Sequence, residues 1–295
     1  MNREVSRLWR SWTEYWFVEG HAVNLALARV LAAGIAAWVL FSRDFPAISS
    51  LPDVYWMSVP ESTQWRYLIF PGNEPIETLL MWAARLSAIA ALIGIAPRLA
   101  SLSTALFLYH LAPLESIIWT ASPNARGLTI PLLVLLICAA SPSGDALVVR
   151  GRTRTREASA RYGWPLRLIQ FQVAMVYVLP GVAKLKESGL NWASGDNLRN
   201  WMLMAVQNQD IAVHTRLGEF LSASPLATSV AGGSVLLFEL CFVAALVRWR
   251  GRAILAACAI LFHGLIYFAM NITLQSWPLL LVFFDASAIL NRRRP

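Results

Sequence analysis

Three polar side chains, Gln170, Tyr177 and Lys184, are spaced seven residues apart within an otherwise apolar stretch of the sequence. Seven residues are close to two turns of an α-helix, so this spacing places all three on one helix face. Loss of water at the mouth of an apolar helix bundle favours the neutral form of an amine, and a neutral Lys184 can act as a general base. The opposing interpretation is a lysine that extends to the membrane interface as a solvated cation.

His263 is a second candidate for chemistry, because Tyr267 and Asn271 follow it at intervals of four residues and form a polar stripe on one helix face. A histidine whose hydrogen bonds are satisfied inside the core explains the pattern equally well. The sequence contains no serine-hydrolase, phosphate-loop or zinc-protease motif and no cluster at metal-ligand spacing, so we expect no metal. The three cysteines lie in apolar runs and are interpreted as core residues.

The elements that must position these side chains are membrane-spanning helices. Of the 295 residues, 57% are hydrophobic and 14% are charged, and the mean hydropathy is +0.52. A soluble protein has about one quarter charged residues. We therefore predict an all-α fold, a polytopic transmembrane bundle of about eight spans that forms a single domain over residues 1–295. The predicted spans are 23–41, 78–95, 100–119, 127–148, 165–183, 230–247, 253–271 and 277–290.

Two segments outside the spans are predicted to be amphipathic. Residues 1–22 combine arginines with tryptophans and are predicted to form an interfacial helix. Residues 184–229 are too polar to span and are predicted to form a re-entrant or amphipathic segment on the outer side. Alternating sides along eight spans puts most lysines and arginines on one side, which the positive-inside rule makes cytoplasmic. Both termini are then cytoplasmic, the positive charge reflects topology, and the predicted partner is the lipid bilayer rather than nucleic acid.

Several ionisable residues lie inside the predicted spans, where each charge costs about 2.5 to 3.5 kcal/mol on insertion scales. We favour a structural interpretation, in which buried pairs hold neighbouring helices in register, over a direct part in chemistry. The residues interpreted in this way are Arg29, Arg85, Glu239 and Asp285. His110 and Glu115, towards the outer end of the third span, are further candidates for such pairs.

The stretch YVLPGVAKL, Tyr177–Leu185, followed by NWASG, Asn191–Gly195, resembles the signature of the horizontally transferred transmembrane (HTTM) family. The best-known chemistry of that family is that of vitamin K-dependent γ-carboxylase. FEL at Phe238–Leu240 and LFHGLIYFAMN at Leu261–Asn271 are similar to later parts of the family pattern, and the segment Asn124–Asp145 is similar to one of its spans.

The resemblance implies that Lys184 matches the lysine that deprotonates reduced vitamin K, with His263 near it. In the carboxylase the strong base formed in this way abstracts a γ-proton from a glutamate, and the carbanion captures carbon dioxide. The resemblance therefore implies a reduced quinone as cofactor and a lyase or oxidoreductase activity. The residues that it implies for cofactor binding are Tyr177, Trp192, Glu239, Tyr267 and Asn124.

Two departures from the carboxylase pattern leave the function open. Asn124 is followed by Ala125, where the carboxylase has a histidine, and the sequence ends at Pro295, where the carboxylase continues into a large extramembrane domain. Three hypotheses remain: an enzyme with an outward-facing intramembrane pocket around a lysine base, a non-enzymatic maturation or assembly factor for an exported peptide, and a transporter of a lipid or small molecule. A polytopic chain of this size suits a bacterial inner membrane.

Overall fold

The described part of the protein is almost entirely helical, which confirms the all-α prediction. Its only strands are β1, Gly20–His21, and β2, Ala158–Ser159, which pair antiparallel with Gly20 opposite Ser159. The structure is a computed structural model that describes residues 3–52, 54, 73–112, 114, 128–149, 158–207, 216–247, 251–272 and 274–288.

Eleven α-helices are named here in chain order within these residues. They are α1 Arg3–Trp16, α2 Ala22–Ser42, α3 Phe45–Ser49, α4 Glu74–Ile93, α5 Pro97–Leu111, α6 Thr129–Ala140, α7 Ala160–Ser188, α8 Asp196–Gln207, α9 Arg216–Ser222, α10 Pro225–Cys241 and α11 Arg252–Met270. Three 3₁₀ helices, Gly189–Ser194, Phe242–Leu246 and Trp277–Phe283, lie between or after them.

Five helical segments are long and apolar enough to cross a membrane, so this is an integral membrane protein. They are Ala22–Ser42, Glu74–Ile93, Ala160–Ser194, Pro225–Leu246 and Arg252–Met270, and they correspond to the predicted first, second, fifth, sixth and seventh spans.

The other three predicted spans coincide with shorter described elements. Helix α5 has 15 residues, α6 has 12, and the chain near the predicted eighth span forms a seven-residue 3₁₀ helix, Trp277–Phe283. A helix needs about 17 or more residues to cross the hydrocarbon core. The count of eight spans and the cytoplasmic position of the termini stay predictions.

Contacts divide the chain into two compact units. The amino-terminal unit comprises Met1–Ile169 with Asp285–Pro295, and the carboxyl-terminal unit comprises Gln170–Phe284. In the amino-terminal unit, α2 packs on α4 and α6, and α4 packs on α5. The alanines of α2, such as Ala26 and Ala33, are fully buried and let these helices approach closely.

The arginines predicted inside the spans do join helices, but through backbone carbonyls. The fully buried Arg29 donates to the carbonyl oxygen of Ser143 at 2.6 Å and to that of Leu147. Arg85 Nε donates to the carbonyl oxygen of Leu40 at 2.9 Å, and its guanidinium stacks on Trp82. Among the described residues both arginines contact backbone carbonyl oxygens rather than carboxylates. Ser143 and Leu147 lie in the turns after α6, and Leu40 lies in the last turn of α2.

Two other ionisable residues predicted inside the spans, His110 and Asp285, have polar partners that were not predicted. Glu77 and His110 lie 2.9 Å apart and are both buried, and Asp285 accepts a hydrogen bond from Asn24 at 2.9 Å. Glu115 lies outside the described residues.

In the carboxyl-terminal unit, the short helices α8 and α9 pack against α10 and α11. Leu198 and Met202 of α8 form a buried cluster with Ala269 of α11. A side chain at Gly218 of α9 would lie 2.2 Å from the carbonyl oxygen of Ala269, so glycine permits this contact. Helix α8 buries Leu198 and Met202 and exposes Arg199, and the re-entrant or amphipathic character of the 184–229 segment stays a prediction.

Candidate functional site

Helix α7 carries the three polar residues with seven-residue spacing, and each is hydrogen-bonded to a different element of the carboxyl-terminal unit. The helix continues through Pro180 to Ser188 without a break. Gln170 Nε2 donates to the carbonyl oxygen of Val282 at 2.8 Å, in the last 3₁₀ helix. The Tyr177 hydroxyl is hydrogen-bonded to His263 Nε2 of α11 at 2.6 Å. Lys184, one heptad further, pairs with α10.

Lys184 forms an ion pair with Glu239 and lies over an aromatic ring. Its Nζ donates to Glu239 Oε1 and is 4.8 Å from the centroid of the Trp192 ring, within cation–π range. The Lys184 side chain is 21% exposed and that of Glu239 is 8% exposed. The ammonium group is thus paired and half-buried, which differs from a lysine that extends freely into water.

A glycine one turn before the lysine lets α7 approach α10. A Cβ atom at Gly181 would lie 3.0 Å from Glu239 Cβ and 3.2 Å from Leu240 Cδ2. Small residues at membrane helix interfaces permit such close packing. Gly181 therefore brings the Lys184 side chain within reach of Glu239.

The segment after α7 is fixed on α10 by two glycines, and this places Trp192. The 3₁₀ helix Gly189–Ser194 ends at Gly195, whose φ of +82° favours glycine, and a Cβ atom there would lie 2.2 Å from the Thr228 carbonyl. A Cβ atom at Gly232 would lie 3.1 Å from the carbonyl oxygen of Trp192. Both glycines thus let this segment lie close to α10.

An aromatic cluster surrounds the Tyr177–His263 hydrogen bond. The Tyr177 ring lies 4.2 Å from that of Phe242 and 5.9 Å from that of Phe238, centroid to centroid. The His263 ring lies 5.7 Å from that of Phe262. Sequence reasoning did not identify Phe238 and Phe242 as ring partners, although their four-residue spacing on α10 and the following turn was a usable signal.

A family model for the HTTM domain matches residues 19–287. The chain belongs to the HTTM family. The match covers most of the chain and includes Lys184, Trp192, Glu239 and His263, which confirms the resemblance seen in the sequence motifs. Searches of curated proteins and of solved structures give no match.

Two buried polar atoms beside Lys184 have no hydrogen-bond partner among the described residues of this HTTM protein. They are Glu239 Oε2, an acceptor, and Trp192 Nε1, a donor. Leaving such groups unpaired costs about 1 to 3 kcal/mol each, so each calls for an explanation. A hydrogen-bond donor on a ligand would pair with Glu239 Oε2, and a hydrogen-bond acceptor would pair with Trp192 Nε1.

Two further predicted site residues, Tyr267 and Asn124, are not among the Lys184 contacts given above. Tyr267 lies one turn after His263 on α11, and its ring is 5.4 Å from that of Phe268. Asn124 lies outside the described residues. Within the part of the chain that is described, no group of three or more His, Cys, Asp or Glu side chains is arranged to hold a metal ion.

Proposed function

We propose that this HTTM protein is a membrane enzyme in which Lys184 is a general base that deprotonates a lipid-soluble hydroxyl compound, with a reduced quinone as the candidate. The observation that carries the proposal is that the acceptor Glu239 Oε2 and the donor Trp192 Nε1, on the two residues that contact Lys184, have no partner among the described residues. The site is proposed to open to the outer side of the membrane.

The ion pair gives Lys184 a way to become a base without leaving a net charge in the bundle. Transfer of one proton from the Lys184 ammonium to the Glu239 carboxylate yields a neutral amine and a carboxylic acid. Their combined charge stays zero before and after the transfer. The neutral amine then takes the proton of the bound hydroxyl group and becomes an ammonium, while the hydroxyl oxygen becomes an anion.

The residues around the lysine fit a reduced quinone. Trp192 Nε1 would donate to one of its oxygens and Glu239 Oε2 would accept from a hydroxyl group. Bound there, a reduced quinone would supply electrons for reaction with oxygen.

His263 is proposed as a positioning residue. It is hydrogen-bonded to Tyr177, which lies two turns, about 10 Å along the helix axis, from Lys184. That bond orients the Tyr177 ring rather than placing the imidazole on the lysine.

Ligand retention tests the proposed site. The full chain, purified in detergent, is incubated with a reduced naphthoquinone, and bound quinone is quantified by mass spectrometry. Trp192→Phe and Glu239→Gln should each lower the affinity about tenfold, since each removes one charged or directional hydrogen bond. Lys186→Ala, an exposed lysine two residues after the base, is the matched control and should bind as the wild type does. Equal retention by all four proteins would refute the site.

A non-enzymatic role in the maturation of an exported peptide is the second candidate. The observation that favours it is that Glu239 and Trp192 together satisfy the Lys184 ammonium, as they would for a structural lysine. Lys184→Arg distinguishes the two functions, because arginine keeps a carboxylate contact and a cation–π contact but does not lose its proton. A helper protein keeps its activity with this substitution, whereas an enzyme with a lysine base loses it.

A further inference from the structure

Helix α1 presents a row of large apolar side chains on its surface. Leu8 is 72% exposed, Trp9 is 69% exposed and Trp12 is 58% exposed, and Val5 is exposed as well. Positions 5, 8, 9 and 12 follow helical spacing and lie on one face. An apolar stripe of this kind is normally covered in a folded protein.

The opposite face of α1 is polar and carries more positive than negative charge. Arg7, Arg10 and Glu14 follow one another at three- and four-residue intervals and are exposed. The helix thus separates apolar from basic side chains around its circumference.

Every side chain of α1 from Arg7 to Glu14 is exposed. At the carboxyl end of the helix, the Tyr15 ring lies under the Arg167 guanidinium at 4.9 Å. A little further on, Gly20 pairs with Ser159 in the two-residue sheet. An isolated helix of 14 residues is marginally stable in water, so α1 needs another surface to cover Leu8 and the tryptophans.

The chain itself determines which surface is within reach. Five residues, 17–21, separate α1 from α2, which is long and apolar enough to span the membrane. Five residues reach at most about 18 Å when fully extended. Helix α1 therefore stays at the edge of the bilayer, where tryptophan rings are preferentially found and arginines attract anionic headgroups.

We propose that α1 is a lipid-binding helix that lies on the bilayer surface, with Leu8, Trp9 and Trp12 in the acyl boundary and with Arg7 and Arg10 on anionic phospholipid headgroups. Its helical fold depends on that surface, and anionic lipid strengthens it. This property is independent of the function of Lys184.

Hydrogen–deuterium exchange of the full chain in lipid nanodiscs tests the role of the headgroups. Amides of residues 3–16 should exchange on the order of tenfold more slowly when phosphatidylglycerol is added to phosphatidylcholine, because each arginine near an anionic surface adds to binding. Arg7→Gln with Arg10→Gln should abolish that difference. The matched control, Arg199→Gln with Arg216→Gln, changes two exposed arginines on α8 and α9 and should preserve it.

Brominated lipids test the apolar face. The difference in tryptophan emission between wild type and Trp12→Phe isolates Trp12, and acyl-chain bromines should quench that signal. An unquenched, water-like emission from Trp12 would overturn the proposal. Amide exchange rates of residues 3–16 that do not change with the charge of the lipid would overturn it too. If the amides of residues 3–16 are protected from exchange only when each nanodisc holds two copies of the chain, the apolar face of α1 binds a second copy. That result would also overturn the proposal.

Discussion

Replacing Lys184 by methionine should destabilise the protein more than replacing its partner Glu239 by glutamine. The methionine variant leaves the Glu239 carboxylate, which is 8% exposed, with neither oxygen paired among the described residues. Removing one partner of a buried ion pair costs about 3 kcal/mol or more. In Glu239→Gln the amide oxygen still accepts from the lysine, and Trp192 still lies under the cation, so the cost is about 1 kcal/mol.

The double variant Lys184→Met with Glu239→Gln tests whether the two side chains stabilise the protein as a pair or independently of each other. It leaves no buried charge, so its loss of stability should be about 2 kcal/mol. The two single variants sum to about 4 kcal/mol, which gives a coupling energy of about 2 kcal/mol, within the range found for contacting residues. Lys186→Met, at an exposed position on the same helix, should change stability by less than about 0.5 kcal/mol.

Reversible unfolding in mixed micelles measures these free energies. Helicity is followed by circular dichroism while the fraction of denaturing detergent is raised, and the four variants are compared with wild type. Additive losses in the double variant would show that the two side chains are not coupled. A larger loss for Glu239→Gln than for Lys184→Met would contradict the reasoning from burial.

Three further substitutions test the contacts around the site and in the amino-terminal unit. Tyr177→Phe removes the hydroxyl bonded to His263 and should cost about 1 to 3 kcal/mol in the same unfolding assay, while an unchanged value would refute that bond. Gly181→Val forces α7 away from Glu239 and should cost about 1 to 3 kcal/mol by overpacking, with lower quinone retention as a second measurement. Arg29→Met leaves buried carbonyl oxygens unpaired and should lower the thermal unfolding temperature of the purified protein, and a variant as stable as wild type would contradict this structural role.

The face of α7 was predictable from sequence because it depends on one helix alone. A seven-residue interval within an apolar run determines which side chains share a face, and Gln170, Tyr177 and Lys184 do so. The partners were not predictable, because Val282, His263 and Glu239 come from elements 55 to 112 residues away. Only the packing of helices brings them together.

The glycines that set helix distances were predictable only in part. Gly232 stands in a run of small residues on α10, a pattern that indicates close packing in membranes. Gly195 follows the small residues Ala193 and Ser194, but its role depends on a left-handed turn against the Thr228 carbonyl. A local sequence pattern does not reveal a contact of this kind.

Span prediction succeeded where an apolar run coincides with a long regular helix. Helices α2, α4 and α11 match their predicted spans closely, because about 20 apolar residues form one uninterrupted helix. Near Trp277–Phe283 the chain is equally apolar but forms a short 3₁₀ helix. Hydropathy reports the apolar character of a segment and does not report the length of its regular helix.

The activity of Lys184→Arg tests the central claim most directly. Arginine retains a cation beside Glu239 and Trp192 but does not act as a base at ordinary pH. The assay follows oxygen-dependent consumption of a reduced naphthoquinone by the full chain in nanodiscs, with Lys186→Arg as the matched control. We predict that Lys184→Arg still binds the quinone but consumes it at least a hundredfold more slowly, because a general base usually contributes a factor of this size. Consumption at the wild-type rate would contradict it.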